Sequence, residues 1–366
     1  MALMAAVAVA CAVPGVFLVL RRLSLVGDAI SHVLLFGIVV AYFVVGDLTS
    51  PWLLAGAAAS GVLTVALVEL LQRSKLVKED AAIGLVFPAL FSLGALLASM
   101  NFRETHLDVD QVLLGHAELA SQADPVYVGG AYLGRAPAVR MGALAVVNAL
   151  LVAAFYKELK LTTFDAGIAA TFGFMPVAVH YGLMTAVSAS AVMAFDAVGP
   201  VLVVAFLVVP AATARLLADR LSKVVVLAPV VALAATACGV RLAYFSGTNT
   251  AGSVAAALAG LFGLAFLFGR RGVVATAVRR RQTRADFLLT MLAVHLYQHE
   301  ATPAAADECD AAGLHRHLHW PPREVERVAA RAGRAGVLTR SGPILTLTPA
   351  GRARAAAVFG PAPGAV

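Results

Sequence analysis

Val224–Val240 reads VVVLAPVVALAATACGV, a run with no charged residue and no 3.6- or 2.0-residue alternation. Apolar side chains cover every face of such a segment, as on a helix that sits in lipid rather than on a soluble core. At a rise of about 1.5 Å per residue the run approaches the length needed to cross roughly 30 Å of hydrocarbon. Leu53–Leu70, Ala81–Ser99, Val139–Tyr156, Ala197–Ala214 and Ser253–Phe268 have the same character. Composition agrees: 60% of residues are hydrophobic, 13% are charged, and the mean hydropathy is +0.86. A soluble domain carries about 25% charged residues, so half of the expected surface charge is missing. The expected fold class is an all-α polytopic membrane protein of about nine transmembrane helices, followed by a small α/β domain.

Spans are expected at about 2–20, 27–46, 52–70, 81–100, 139–156, 177–194, 197–215, 224–244 and 253–269. The apolar start is read as the first span, because no basic segment precedes it and no small-residue cleavage site closes it. The clusters Arg21-Arg22, Arg73/Lys75/Lys78, Lys157/Lys160, Arg215/Arg220/Lys223 and Arg270-Arg271 all fall on one side if nine spans alternate. The bias of Lys and Arg toward the cytoplasm then places the N-terminus outside and the C-terminus inside. The net charge of +7 is explained by this orientation and by anionic headgroups of the lipid bilayer, so nucleic acid is not expected as a partner. Cys11, Cys238 and Cys309 form no CxxC pair, which predicts neither a disulfide framework nor a thiolate zinc site.

Composition changes after Arg271. The expected division is a transmembrane domain at 1–271, a basic linker at 272–283, a winged-helix-like domain at 284–360 and a tail at 361–366. Within the third part the pattern predicts a first helix over Phe287–Leu296, a second at Ala304–Ala311 and a third at Pro322–Ala335, with proline in its first turn. Two β-prone strings, Val337–Thr339 and Ile344–Thr348, flank the turn Arg340-Ser-Gly-Pro343, and a last helix begins at Thr348-Pro349.

Asp28 and His32 carry the sharpest chemical signal. They are i, i+4 and share one helical face, with Ser31 adjacent. An ionisable pair this close to a span is costly and tends to face a cavity, a partner or an ion; carboxylate with imidazole suits divalent transition metals. The simpler alternative makes Asp28 a helix cap and His32 a local hydrogen-bonding group. Asp196, in Phe195-Asp-Ala-Val-Gly-Pro200, is a weaker metal candidate beside a break in the apolar run. His180 is read as a lone histidine packed among apolar neighbours, and His106, Asp108, Asp110 and His116 as a polar extracytoplasmic loop within Asn101–Arg135. In the tail, His315, His317 and His319 are speculative metal ligands near Asp307, Glu308, Cys309 and Asp310. Alternate residues do not share a helical face, so these three converge only in an extended or looped segment. No GxxxxGK[ST], G-x-S-x-G or HExxH motif occurs, which argues against nucleotide binding by that loop and against a hydrolase.

Val19-Leu-Arg-Arg-Leu-Ser-Leu-Val-Gly-Asp28-Ala-Ile-Ser-His32 resembles the signature of the permease subunits of ABC importers for manganese, zinc and iron. The similarity continues through Lys78-Glu-Asp-Ala-Ala-Ile-Gly84, Thr163-Phe-Asp165, Phe195-Asp-Ala-Val-Gly-Pro-Val-Leu-Val-Val-Ala205 and Val209-Pro-Ala-Ala-Thr-Ala214, covering roughly residues 10–270. Gly37 keeps a small residue after the histidine, while Phe36 stands where that family often has proline. The C-terminal extension is similar to the winged-helix domain of iron- and manganese-dependent repressors, through Leu347-Thr-Pro-Ala-Gly351. The tail ends without the repressors' dimerisation and metal-sensing region.

The resemblance implies a multi-pass permease of the plasma (inner) membrane, not itself an enzyme, with ATP hydrolysis in a separate cytoplasmic ABC ATPase. That ATPase would dock on Leu161, Thr163, Phe164, Asp165, Ala166 and Gly167. Further implied partners are an extracytoplasmic metal-binding protein and a second permease copy or paralogue. No cofactor is bound permanently; a divalent ion (Mn, then Zn or Fe) is the cargo and passes Asp28 and His32. The alternatives are a membrane-anchored metal-responsive transcription regulator, a permease for metal chelates, and a proton-coupled transporter.

Overall fold

A computed structural model of the chain describes residues 1–46, 50, 52–101, 124–128, 131–303 and 305–358. It divides into two compact units, Met1–Gly272 and Val273–Val366, each with its own hydrophobic core.

The first unit contains α1 (Ala2–Leu20), α2 (Ser24–Val45), α3 (Trp52–Arg73), α4 (Glu79–Asn101) and α5 (Ala136–Ala154). Two short helices follow, α6 (Tyr156–Phe164) and α7 (Ala166–Thr171). The unit closes with α8 (Pro176–Val198), α9 (Pro200–Leu217), α10 (Leu221–Ser246) and α11 (Thr250–Phe268). Among the described residues nine helical segments are long and apolar enough to cross a membrane, and they fall where the apolar runs placed them.

α1 is the axis of the bundle. It packs against α5, α8, α9 and α10, and Val7, Ala8, Ala10, Cys11, Ala12, Val16 and Phe17 are all fully buried. Burial on every side explains why its apolar residues show no stripe. α5 has the opposite design: Met141, Ala145, Asn148 and Val152 face the bundle at spacings of three and four residues. Val146, Val147 and Leu150 on its other faces are exposed, as lipid contact requires.

Close helix approach relies on small residues, because apolar burial gives helices no net attraction in lipid. At Gly37 an added Cβ would collide with the Gly56 carbonyl and with Ser60 of α3, which is the reason a small residue is needed after the histidine. α2 continues unbroken past Phe36 to Val45. The proline inside α1 is compensated from a neighbouring helix. Pro14 has no N–H for the Ala10 carbonyl one turn before it, and Asn148 Nδ2 of α5 donates to that carbonyl at 2.9 Å and to Ser190 Oγ of α8 at 2.8 Å. The break expected near Asp196 is a junction: α8 runs to Val198, Gly199 adopts φ +78°, and Pro200 opens α9. Only glycine takes that φ readily.

Part of the segment expected to be a plain loop before α5 is ordered. β1 (Pro125–Val128) and β2 (Ala131–Arg135) form an antiparallel hairpin, with Val128 opposite Ala131. The Tyr127 and Tyr132 rings meet edge to face across it at 5.8 Å. The period was too short to register before the proline-containing start of α5.

The second unit begins with α12 (Val273–His299), so residues 273–283, expected as linker, are helical. Within the expected second helix, Ala304–Ala311, only the short α13 (Ala305–Glu308) forms, and a further short helix, α14 (Leu314–His317), follows it. α15 (Pro322–Arg334), β3 (Leu338–Ser341), β4 (Ile344–Leu347) and α16 (Pro349–Ala356) complete it. β3 pairs antiparallel with β4, Ser341 opposite Ile344, and Gly342 turns the chain at φ +63°. Leu289, Leu292, Ala293 and Leu296 of α12 pack with Val325, Val328, Ala332, Leu345, Leu347 and Ala355. Thr348 caps α16, its hydroxyl accepting from the Gly351 N–H at 3.1 Å.

Candidate functional site

Asp28 and His32 lie in the first turns of α2, and the helical repeat brings them together with Asp28 Oδ1 3.6 Å from His32 Nε2. Their side chains keep 50% and 37% of their accessible surface, so this face of α2 is half open among the described residues. The neighbours on α4 are aromatic: the Phe87 and Phe91 rings stand 5.2 and 6.3 Å from the imidazole. Ser31 points the other way, is buried, and donates to the Gly27 carbonyl at 3.0 Å. One carboxylate and one imidazole, half exposed beside phenyl walls, are donor types that divalent transition metals accept.

A second polar group was not foreseen as a unit. Arg21, just past the end of α1, donates through Nε to Thr163 Oγ1 at 3.1 Å and through Nη2 to Thr162 Oγ1 at 2.8 Å. Its Nη1 lies 3.3 Å from His180 Nδ1 on α8. Arginine has no acceptor, so this nitrogen of His180 accepts and the ring carries its proton on Nε2. That Nε2 lies 2.9 Å from Glu69 Oε1 of α3, and Tyr181 donates to Glu69 Oε2 at 2.8 Å. Burial lowers the Arg21 guanidinium below its ordinary value, and its three polar neighbours replace the water it loses. His180 is therefore no lone packed histidine: it bridges Arg21 and Glu69. The signal available was that Glu69 and His180 interrupt apolar runs at the same side of the bundle as Arg21.

This network ends on the segment expected to dock an ATPase. Leu161 and Thr163 are half-buried, whereas Phe164, Asp165, Ala166 and Gly167 are exposed. Asp165 caps α7, its Oδ1 accepting from the Ile168 N–H at 2.8 Å. Phe164, Ile168 and Phe172 stand out at 62%, 49% and 71% exposure, an apolar patch on two short helices.

Asp196 occupies the last turn of α8, three residues before Gly199; its side chain lies outside the described residues, as do His106, Asp108, Asp110 and His116. The three tail histidines do not act together. His315 Nδ1 lies 2.7 Å from the Ala312 carbonyl, and His319 Nδ1 lies 3.4 Å from the His317 carbonyl. His317 alone meets carboxylates, at 3.1 Å from Glu308 and 3.8 Å from Asp307. Their segment is helical over Leu314–His317, and helical geometry sends alternate residues apart. Cys309 is buried. Desolvation, with the nearby charges of Glu300 and Glu308, pushes its thiol up from 9.0, which favours the neutral thiol over the thiolate a metal would need.

The chain has known relatives. The zinc transport system membrane protein TroD of Treponema pallidum (strain Nichols) is 43% identical over 94% of this chain and 94% of its own length, so that similarity takes in the second unit as well. The manganese transport system membrane protein MntD of Bacillus subtilis (strain 168) is 38% identical over 75% of this chain and 92% of its own. Among solved structures, PsaBC from Streptococcus pneumoniae in complex with Fab aligns with a TM-score of 0.60 at 27% identity, covering 74% of this chain and 91% of the other. Residues 1–269, the whole helical bundle, match the description of the ABC 3 transport family, and the chain belongs to that family as a multi-pass membrane protein.

Proposed function

We propose that the chain is the permease subunit of an ATP-driven importer of divalent transition-metal ions, with Mn2+ first and Zn2+ or Fe2+ next. The ion is cargo and passes a polar site at Asp28 and His32. The observation that carries this reading is the uncovered carboxylate–imidazole pair on α2, in a chain whose relatives are named as zinc and manganese transport membrane proteins. Oxygen with imidazole and no thiolate favours Mn2+ or Fe2+ over a tight zinc trap. An ionisable pair facing lipid would be expensive, so a second permease copy or a paralogue is the natural cover for that face. The pair would then be one half of a pathway.

The exposed Phe164, Ile168 and Phe172, with the capped start of α7, suit docking of a separate cytoplasmic ATPase; the permease itself performs no hydrolysis. Leu161 and Thr163 support that surface from beneath, and Asp165 shapes it. An extracytoplasmic metal-binding protein would deliver the ion from the other side. The residue set 284–360 would be a winged-helix domain in the cytoplasm, a reading supported by the order helix, short helices, helix, hairpin, helix. Asp196 remains a weaker ligand candidate.

The test is uptake of labelled Mn2+ and Zn2+ by cells carrying the chain with its ATPase. Asp28→Ala and His32→Ala should each abolish uptake while the complex still purifies intact. Normal uptake by both variants would overturn the assignment.

A further inference from the structure

His295 and His299 sit one turn apart at the end of α12, with ring centroids 4.8 Å apart. Glu308 closes α13 and approaches them from a different element. One ligand atom from each of the three residues lies within 4.8 Å of the other two, the one such group of His, Cys, Asp or Glu among the described residues. A third imidazole stands beside them: His317 Nδ1 is 3.1 Å from Glu308 Oε2, and its ring stacks on that of His295 at 6.2 Å. The group is sheltered without being sealed, with His295 at 14%, Glu308 at 22% and His317 at 24% side-chain exposure.

We propose that His295, His299 and Glu308, with His317 as the adjacent fourth donor, form a divalent transition-metal site in the second unit, separate from the Asp28/His32 pair. Several imidazoles and one carboxylate are the ligand set of Zn2+ and its first-row neighbours. A neutral imidazole offers the lone pair of one ring nitrogen; His295 Nε2 lies 3.0 Å from the Glu308 carbonyl, so the lone pair of that ring is on Nδ1. A divalent ion uses those lone pairs and balances the carboxylate. The residues lie beyond residue 269, where the match to the transport family ends, so an ion there need not be cargo. Occupancy would add a tie between α12 and the segment carrying α13 and α14, which already joins the core of the unit through Cys309 and Leu314. This site stands independently of whether the chain carries metal across the membrane.

The test uses the full chain in detergent, in an Asp28→Ala/His32→Ala background so that the first pair is not counted. Equilibrium dialysis with Zn2+ should give about one equivalent per chain, as expected for a preformed ligand set. Adding His295→Gln/His299→Gln, or Glu308→Gln, should remove it, whereas adding His315→Gln/His319→Gln should not. No bound Zn2+ in the background chain, or full binding in the His295→Gln/His299→Gln chain, overturns the proposal. A measurement on the unsubstituted chain guards against misfolding. Zn2+ should protect His295 and His299 from acylation by diethylpyrocarbonate and leave His315 reactive; equal labelling of all three with and without Zn2+ would overturn it too.

Discussion

Arg21 was legible as one member of a basic cluster at the end of the first span, but its partners were not. Its guanidinium holds Thr162, Thr163 and His180 at once, contacts separated by more than a hundred residues of chain. Removing it takes the charged donor from His180 Nδ1 and from both hydroxyls, and hydrogen bonds to a charged group contribute roughly 1.5–3 kcal/mol. Arg21→Ala should therefore lower stability by about 2 kcal/mol, read as a lower melting temperature in detergent. Arg21→Lys should recover only part of it, because an ammonium lacks the planar fork; an unchanged melting temperature in both variants would show that the network contributes nothing. Cys309 carries a second residue-scale expectation. Its folded pKa is raised above 9.0, so the neutral thiol's contribution to stability is complete below about pH 9 and fades as pH rises through the folded value. At pH 8 iodoacetamide should label Cys309 only after denaturation. Rapid labelling of the folded chain would contradict its burial.

At the scale of elements, spans follow from the sequence because each needs only its own length and apolarity. What a helix needs from its neighbours is invisible in its own residues. Asn148 looks like an isolated polar residue in α5, yet it supplies the donor that Pro14 withholds from Ala10 and also reaches Ser190. Asn148→Leu should cost about 1 kcal/mol, within the range found for interhelical hydrogen bonds in membranes, and a thermal melt in detergent would measure it. Gly37 is similar: its role after His32 was legible, but the contact with Gly56 and Ser60 that requires it was not. Gly37→Val should separate α2 from α3 at a cost of about 1–3 kcal/mol. A melt that matched the parent would show that the two helices have room to spare. The hairpin β1–β2 was missed for a related reason, since four- and five-residue strands carry too little period to stand out beside long apolar runs.

For the whole molecule, the change in composition after Arg271 coincides with a division of the contacts at Gly272 and Val273. The two cores share no residue, so a chain ending at Gly272 should still insert and melt within a few degrees of the membrane unit of the full chain. Intrinsic fluorescence during heating would follow this, and failure of the shortened chain to accumulate in membranes would show that the second unit is needed for folding. The tail histidines show the limit of reading such a unit by composition. His315, His317 and His319 drew attention as a string, whereas His295, His299 and Glu308 meet across two helices. The i, i+4 spacing of His295 and His299 was readable; the arrival of Glu308 beside them was not.

The sequence by itself determined the class of the molecule, the position of its spans and the nearness of Asp28 to His32. Each of these depends on local quantities: hydropathy over one helix length and the 3.6-residue repeat. Tertiary structure alone decided that α1 is the buried axis, that Arg21, Glu69, His180 and the threonines of α6 form one network, and that the metal-ligand chemistry of the tail gathers at α12 and α13. Those outcomes depend on which distant helices touch. Apolar periodicity, which is nearly silent when a helix is apolar on all faces, does not encode that.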